Sequence, residues 1–132
     1  MGTVIQLKKE INNSYSDLLN SVEDKLMLVE EKITAKLMSK VELVNKMSEY
    51  HLKTGGKRLR ALLTLESAKL CRYNKGGRDI NLAACVELIH AATLMHDDVI
   101  DNSDIRRGKK TLHALWGNQS SILVGDYLLR KK

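Results

Sequence analysis

The sequence predicts an all-α fold, built as an antiparallel helical array. Three observations carry this expectation. The 132 residues contain no proline, and none of the eight glycines falls between Thr3 and Thr54. Apolar residues recur at mixed three- and four-residue steps, the repeat of a helix that buries one face. Turn signals are too sparse for the short, evenly spaced strands of a β sandwich or barrel. With 43% hydrophobic residues the chain can close a modest core.

From about Asn13 to Leu52 the apolar positions Tyr15, Leu18, Leu19, Val22, Leu26, Ile33, Leu37, Val41, Val44 and Met47 predict two helices, with a break near Ser21 or beyond. Ser14 or Ser16 is placed to cap the first, because a short hydroxyl accepts from the free amides of a helix start. The mixed charges Glu23, Asp24, Lys25, Glu30, Glu31 and Lys32 fit an exposed outer face. Thr54-Gly55-Gly56 interrupts the pattern, and a further helix runs from about Arg58 to Cys71. After the loop Asn74-Lys75-Gly76-Gly77, Asn81 is positioned to cap a long helix from Leu82 to about Ile100. That segment is dominated by Ala, Leu, Val and Met, so it is the expected buried centre. Gly108 marks the next turn, helical pattern resumes near Leu112, and another helix is expected to begin at Gly125.

Several function classes are disfavoured at this point. No apolar run approaches the ~18 residues of a membrane span. Met1 to Ile11 is polar and mixed, with no stretch of signal-peptide character. Cys71 and Cys85 lack zinc-type spacing and read as reduced thiols of a cytoplasmic protein. The net charge of +6 is unevenly placed: residues 1–50 sum to −1 (seven Lys, eight acids) and residues 51–132 to +7 (fifteen basic, eight acidic). The second part therefore offers either a solvated basic surface or a site for a phosphate-rich partner, nucleic acid or a small diphosphate.

The most unusual stretch is Met95-His96-Asp97-Asp98-Val99-Ile100-Asp101-Asn102-Ser103-Asp104, with four carboxylates in eight residues at the end of the most apolar helix. Two such charges about 4 Å apart repel by roughly 4 kcal/mol at an effective dielectric near 20. The helix dipole opposes negative charge at that end as well. Compensation comes either from Arg106 and Arg107 or from a divalent cation. At about 100° per residue, Asp101 lies ~40° round from Asp97 and one turn on, whereas Asp98 stands ~100° away. Asp97 and Asp101 are the principal pair, and hard oxygen ligands suit Mg²⁺. His90 lies two turns before Asp97 and points along the same face, while His96 points away and reads as a hydrogen-bonding packer.

Two basic groups bracket this helix. In Gly55-Gly56-Lys57-Arg58-Leu59-Arg60 a flexible pair precedes cations and a helix start, which supplies amides, dipole and charge for an anion. The second group is Ile105-Arg106-Arg107-Gly108-Lys109-Lys110, directly after the acids. Carboxylates for magnesium beside paired arginines suit a diphosphate.

Taken together, GGKRLR (55–60), ELIHAATLMHDDVIDNSDIRRG (87–108) and GDYLL (125–129) resemble the trans-isoprenyl diphosphate synthases, the polyprenyl synthetase family. The likeness extends over about Met47 to Leu129, and Asp97-Asp98-x-x-Asp101 looks like the family's first aspartate-rich motif. Ala61 stands where the family commonly has proline. The resemblance implies the amino-terminal portion of the isoprenoid synthase fold, a single incomplete domain over 1–132 with amino-terminal helices in 1–53 and the diphosphate- and metal-binding helices in 54–132. It implies that Lys57, Arg60, His90 and Arg107 hold the diphosphate of isopentenyl diphosphate. Asp97 and Asp101 would bind Mg²⁺ that grips an allylic diphosphate, Arg106 would contact the same leaving group, and Asp98 belongs to the catalytic motif with a less direct part. The family's second aspartate-rich motif has no counterpart in residues 1–132, so the resemblance implies a fragment inactive alone, or a subunit of a split or heteromeric synthase. A non-catalytic interaction module is a further alternative, and a nucleic-acid binder or a His-Asp phosphohydrolase accounts for fewer of the motifs. The complete protein is expected to be a homodimer. Because Ala92 lies five residues before Asp97 and is small, the resemblance implies an open floor beside this helix and a long, octaprenyl-type product.

Overall fold

The computed structural model describes residues 2–54 and 56–132, with side chains described from Glu10 onward. Seven helices follow in order: α1 (Gly2–Ser21), α2 (Glu23–Leu37), α3 (Glu42–Lys53), α4 (Leu59–Leu70), α5 (Arg78–Ile100), α6 (Leu112–Trp116) and α7 (Asn118–Arg130). The all-α expectation holds, with one two-stranded ribbon, β1 (Ile105–Arg106) and β2 (Lys109–Lys110), between α5 and α6. Helix α5 packs against α2, α4 and α7, and the core of Ile33, Met47, Leu62, Leu65, Leu88, Met95 and Leu128 closes around it.

The amino-terminal segment forms three helices rather than two. The break at Ser21 is where the pattern predicts it, but a second falls between Leu37 and Glu42. Its cause is local polar competition with the helix. Asn45 accepts from the Ser39 amide at 2.9 Å and donates back to the Ser39 carbonyl at 3.0 Å, while the Val41 amide donates to Ser39 Oγ at 3.2 Å. The orphaned carbonyls of Leu37 and Met38 accept from the Tyr127 hydroxyl, at 3.2 and 3.0 Å, so α7 caps α2 from a distance.

Other expected boundaries also move. Helix α1 already runs from Gly2, and Ser14 is no cap: its hydroxyl donates to the Glu10 carbonyl inside the helix. Helix α5 begins at Arg78, which puts Asn81 inside it. The start is held by Asp79, buried and ion-paired with Lys25 of α2. Burial pushes the Asp79 carboxyl up, but the Lys25 and backbone hydrogen bonds prevail and hold it below the usual carboxylate range. Helix α7 starts at Asn118 after Gly117 (φ +86°), so Gly125 lies within it.

The buried face of α5 is Ala83, Ala84, Glu87, Leu88, Ala91, Ala92, Met95 and Asp98, while Leu82, Thr93, Asp97 and Ile100 are exposed. Its alanines let neighbouring helices approach closely. At the far end Asn102 adopts φ +51°, the Asn102 amide donates to the Val99 carbonyl, and the Ser103 amide donates to the Asp98 carbonyl at 2.9 Å. This left-handed cap ends the helix and turns the chain into the ribbon. The ribbon's two-residue turn is Arg107-Gly108, both at positive φ, with Ile105 paired to Lys110 and Arg106 to Lys109. Thr111 and His113 anchor its far side through the Ser103 carbonyl.

Candidate active site

The end of α3, the first turn of α4, the middle of α5 and the ribbon enclose a cavity of about 280 Å³. Its lining includes Lys57, Arg60, His90, Arg106 and Arg107, so the two basic segments meet at one place although some fifty residues separate them. Gly56 is part of the reason. A Cβ there would lie 2.8 Å from Arg107 Nη1, so glycine leaves the space in which the guanidinium settles, and a larger residue would displace the tip of that side chain. Gly55 lies outside the described residues.

The cavity's cations divide by their partners. Arg106 is engaged: Nε and Nη2 donate to both oxygens of buried Asp98 at 2.7–3.1 Å, and this hydrogen bond raises the guanidinium pKa. Arg58, the residue before α4 and itself at φ +50°, pairs with Glu30 and stands 3.8 Å from Glu87. Lys57, Arg60 and Arg107 form no ion pair among the described residues. These three line the cavity with positive charge still to be neutralised.

Two imidazoles face the same space. Burial above all, then Arg60, holds the His90 pKa below its ordinary value, against the pull of Glu87. His51 of α3 is lowered to about 4, again chiefly by burial, with Asp98 opposing and Arg106, His90 and Arg107 reinforcing. Both are neutral at physiological pH and can donate an N–H without adding to a crowded positive field.

Sequence reasoning missed His51 and Glu87. Nothing local marks His51, which reaches the cavity only because the chain doubles back between α3 and α4. Glu87 carried a signal, since it stands three residues before His90 on one helix face. Its buried carboxylate accepts from the Ala61 amide at 3.0 Å and so caps α4 from α5. A proline at position 61 would have no N–H for this bond.

Asp97 and Asp101 are exposed and form no ion pair among the described residues. Asp98 stands apart from the pair, as the helix angle predicts, but it is buried and engaged by Arg106 rather than available to the pair from the side. Among the described residues no group of three or more His, Cys, Asp or Glu side chains forms a metal cluster. The pair fits a hard divalent cation that takes its remaining oxygens from water and phosphate. His96 packs as expected: Nε2 lies 3.2 Å from the Ile122 carbonyl, against Gly125 of α7. Ala92 is fully buried among the core side chains, and Ala91 and Leu94 are its neighbours on α5 that line the cationic cavity.

This helical layout with a cationic cavity beside an aspartate-rich helix end is that of the isoprenoid synthases, and comparison with known proteins agrees. The polyprenyl synthetase family model matches residues 41–131. Octaprenyl diphosphate synthase of Escherichia coli (strain K12) is 45% identical over 96 residues, covering 73% of this chain and 29% of that protein. A decaprenyl diphosphate synthase from Rhodobacter capsulatus superposes with a TM-score of 0.84 at 40% identity, over 88% of this chain and 36% of its own. A polyprenyl synthase from Caulobacter crescentus CB15, solved with calcium and isoprenyl diphosphate, gives 0.82 at 41% identity, over 86% and 34%. The chain belongs to the polyprenyl synthetase family and corresponds to its amino-terminal part. It spans about a third of the length of these relatives.

Proposed function

We propose that this chain carries the isopentenyl diphosphate subsite and the first metal-binding motif of a polyprenyl diphosphate synthase, a prenyltransferase that lengthens isoprenoid chains. The observation that carries the reading is the set of three unpaired cations, Lys57, Arg60 and Arg107, gathered with neutral His90 around one cavity. That is the charge and hydrogen-bonding capacity a diphosphate needs. The likeness to the Caulobacter polyprenyl synthase, which was solved with calcium and isoprenyl diphosphate, supports the choice of ligand.

In this reading Lys57, Arg60, His90 and Arg107 fix isopentenyl diphosphate by its charged end, so that its double bond faces the allylic substrate. Asp97 and Asp101 would hold Mg²⁺, which when bound supplies positive charge to the allylic diphosphate as it departs. Arg106 keeps Nη1 for the same leaving group while its other two nitrogens hold Asp98, so Asp98 acts by orienting Arg106. As the allylic C–O bond breaks, the double bond attacks that carbon, and loss of a proton completes a chain five carbons longer. Fixed cations aimed at the departing charge supply the stabilisation. The complete enzyme is proposed to be a cytoplasmic homodimer with no nucleic-acid partner. Free Cys71 and Cys85 accord with a reducing compartment, and among the described residues no helix is long and apolar enough to cross a membrane.

The test is calorimetric. Isopentenyl diphosphate should bind the wild-type chain and lose at least tenfold in affinity on Arg60→Met or Arg107→Met, each removing a charged contact worth about 1.5–3 kcal/mol. Geranyl diphosphate should bind more tightly with Mg²⁺ present, and Asp97→Asn with Asp101→Asn should abolish that difference. Equal binding by all variants would remove the assignment.

A further inference from the structure

Tyr15 of α1 lies outside both the matched residues 41–131 and the motif strings 55–60, 87–108 and 125–129. It is half-buried against the core. Its hydroxyl donates to the carbonyl of Lys57 at 3.3 Å, and the Lys57 ammonium stands 5.5 Å from the centre of its ring. One side chain from the first helix thus meets both ends of a lysine forty-two positions away, its backbone and its charge.

Lysine is the cation with most to gain from such a grip. Its four-carbon stem loses rotamer freedom whenever the ammonium is fixed on a ligand. An ammonium already lying over an aromatic face has given up part of that freedom, and the ring quadrupole attracts it without neutralising its charge. The hydroxyl acts at the other end, on the loop just before α4, where the chain passes from Gly56 into the left-handed Arg58. Lys57 lines the cavity, so what Tyr15 restrains is the rim of the proposed diphosphate site.

We propose that Tyr15 is a positioning residue that pre-organises Lys57 for a diphosphate. The proposal rests on the reading that Lys57 binds a diphosphate, and its test separates the two. Ring current from Tyr15 should shift the Lys57 ε-methylene resonance upfield in the unliganded chain. Tyr15→Phe should keep that shift and Tyr15→Leu should remove it, so an unchanged resonance in Tyr15→Leu overturns the proposal without reference to any ligand.

The second arm titrates inorganic diphosphate. Tyr15→Leu should weaken binding about two- to fivefold, the equilibrium factor of an exposed cation–π contact, and Tyr15→Phe should weaken it less. In a Lys57→Met background Tyr15→Leu should have no further effect. Equal losses in both backgrounds would make Tyr15 a general support of the fold and overturn the proposal. Should Tyr15→Leu unfold, Tyr15→Phe in the two backgrounds decides the same question. If the wild type fails to bind diphosphate while the ring-current shift is present, it is the functional reading that falls and the grip on Lys57 that stands.

Discussion

Three aspartates in one motif have two different physical situations. Asp98 is buried and forked onto Arg106, whereas Asp97 and Asp101 face solvent with their charge unmatched within the described chain. Removing one partner of a fully buried ion pair costs about 3–5 kcal/mol. The partly exposed Arg106 guanidinium, which water can reach once Asp98 is gone, puts this pair below that range. Asp98→Ala should therefore lower the urea midpoint sharply. Asp97→Asn and Asp101→Asn should leave stability within about 0.5 kcal/mol or raise it slightly, since they relieve like-charge repulsion at an exposed helix end. Equal destabilisation by all three would show that the pair is structural. The sequence alone made this division partly legible, because the helix turn separates Asp98 from the other two. It could not show Arg106 reaching back eight residues to meet Asp98, which requires the left-handed cap at Asn102 and the ribbon that follows.

At the scale of elements, the central contact is α5 against α7, and it turns on one missing side chain. A Cβ on Gly125 would lie 2.3 Å from His96 Nε2, so the imidazole keeps its seat between the two helices only because position 125 is glycine. Gly125→Ala gains helix propensity of about 1 kcal/mol, but overpacking costs typically 1–3 kcal/mol, and the imidazole must also leave the Ile122 carbonyl. The net expectation is a thermally less stable protein, with His96→Ala restoring part of the loss in the double variant. A stabilised single variant would mean that His96 moves aside at no cost. Read as punctuation, Gly125 suggests the start of a helix, and that is why the α7 boundary is misplaced in the sequence. A glycine kept for helix contact and one kept for a turn look identical along the chain.

For the whole molecule, the exposed surface is as informative as the core. Leu59, Leu63 and Leu70 fall on one side of α4 and are each at least half exposed, and Leu63 and Leu82 flank a shallow groove between α4 and α5. Apolar patches of more than a few hundred Å² favour association. The isolated 132-residue chain should self-associate in sedimentation and bind a hydrophobic dye, and Leu63→Lys with Leu82→Lys should reduce both. A compact monomer that ignores the dye would contradict this. The Ala, Leu, Val and Met of α5 mark it as the buried centre, and the structure exposes Thr93 and Asp97 on the side opposite the alanines.

The sequence by itself determined the helical class, the central apolar helix, the family, and the two basic segments that flank that helix. Each of these is written in short-range terms: hydrophobic period, glycine position, and strings of acids and bases. Tertiary structure alone decided which cations remain available. Arg58 and Arg106 are consumed by Glu30, Glu87 and Asp98, while Lys57, Arg60 and Arg107 are left to line the cavity. It also brought in Tyr15 and His51, which belong to none of the motif strings, and Glu87, which belongs to one. Their proximity arises from helices folding back on one another, and pairing across such distances leaves no periodic trace in a single chain.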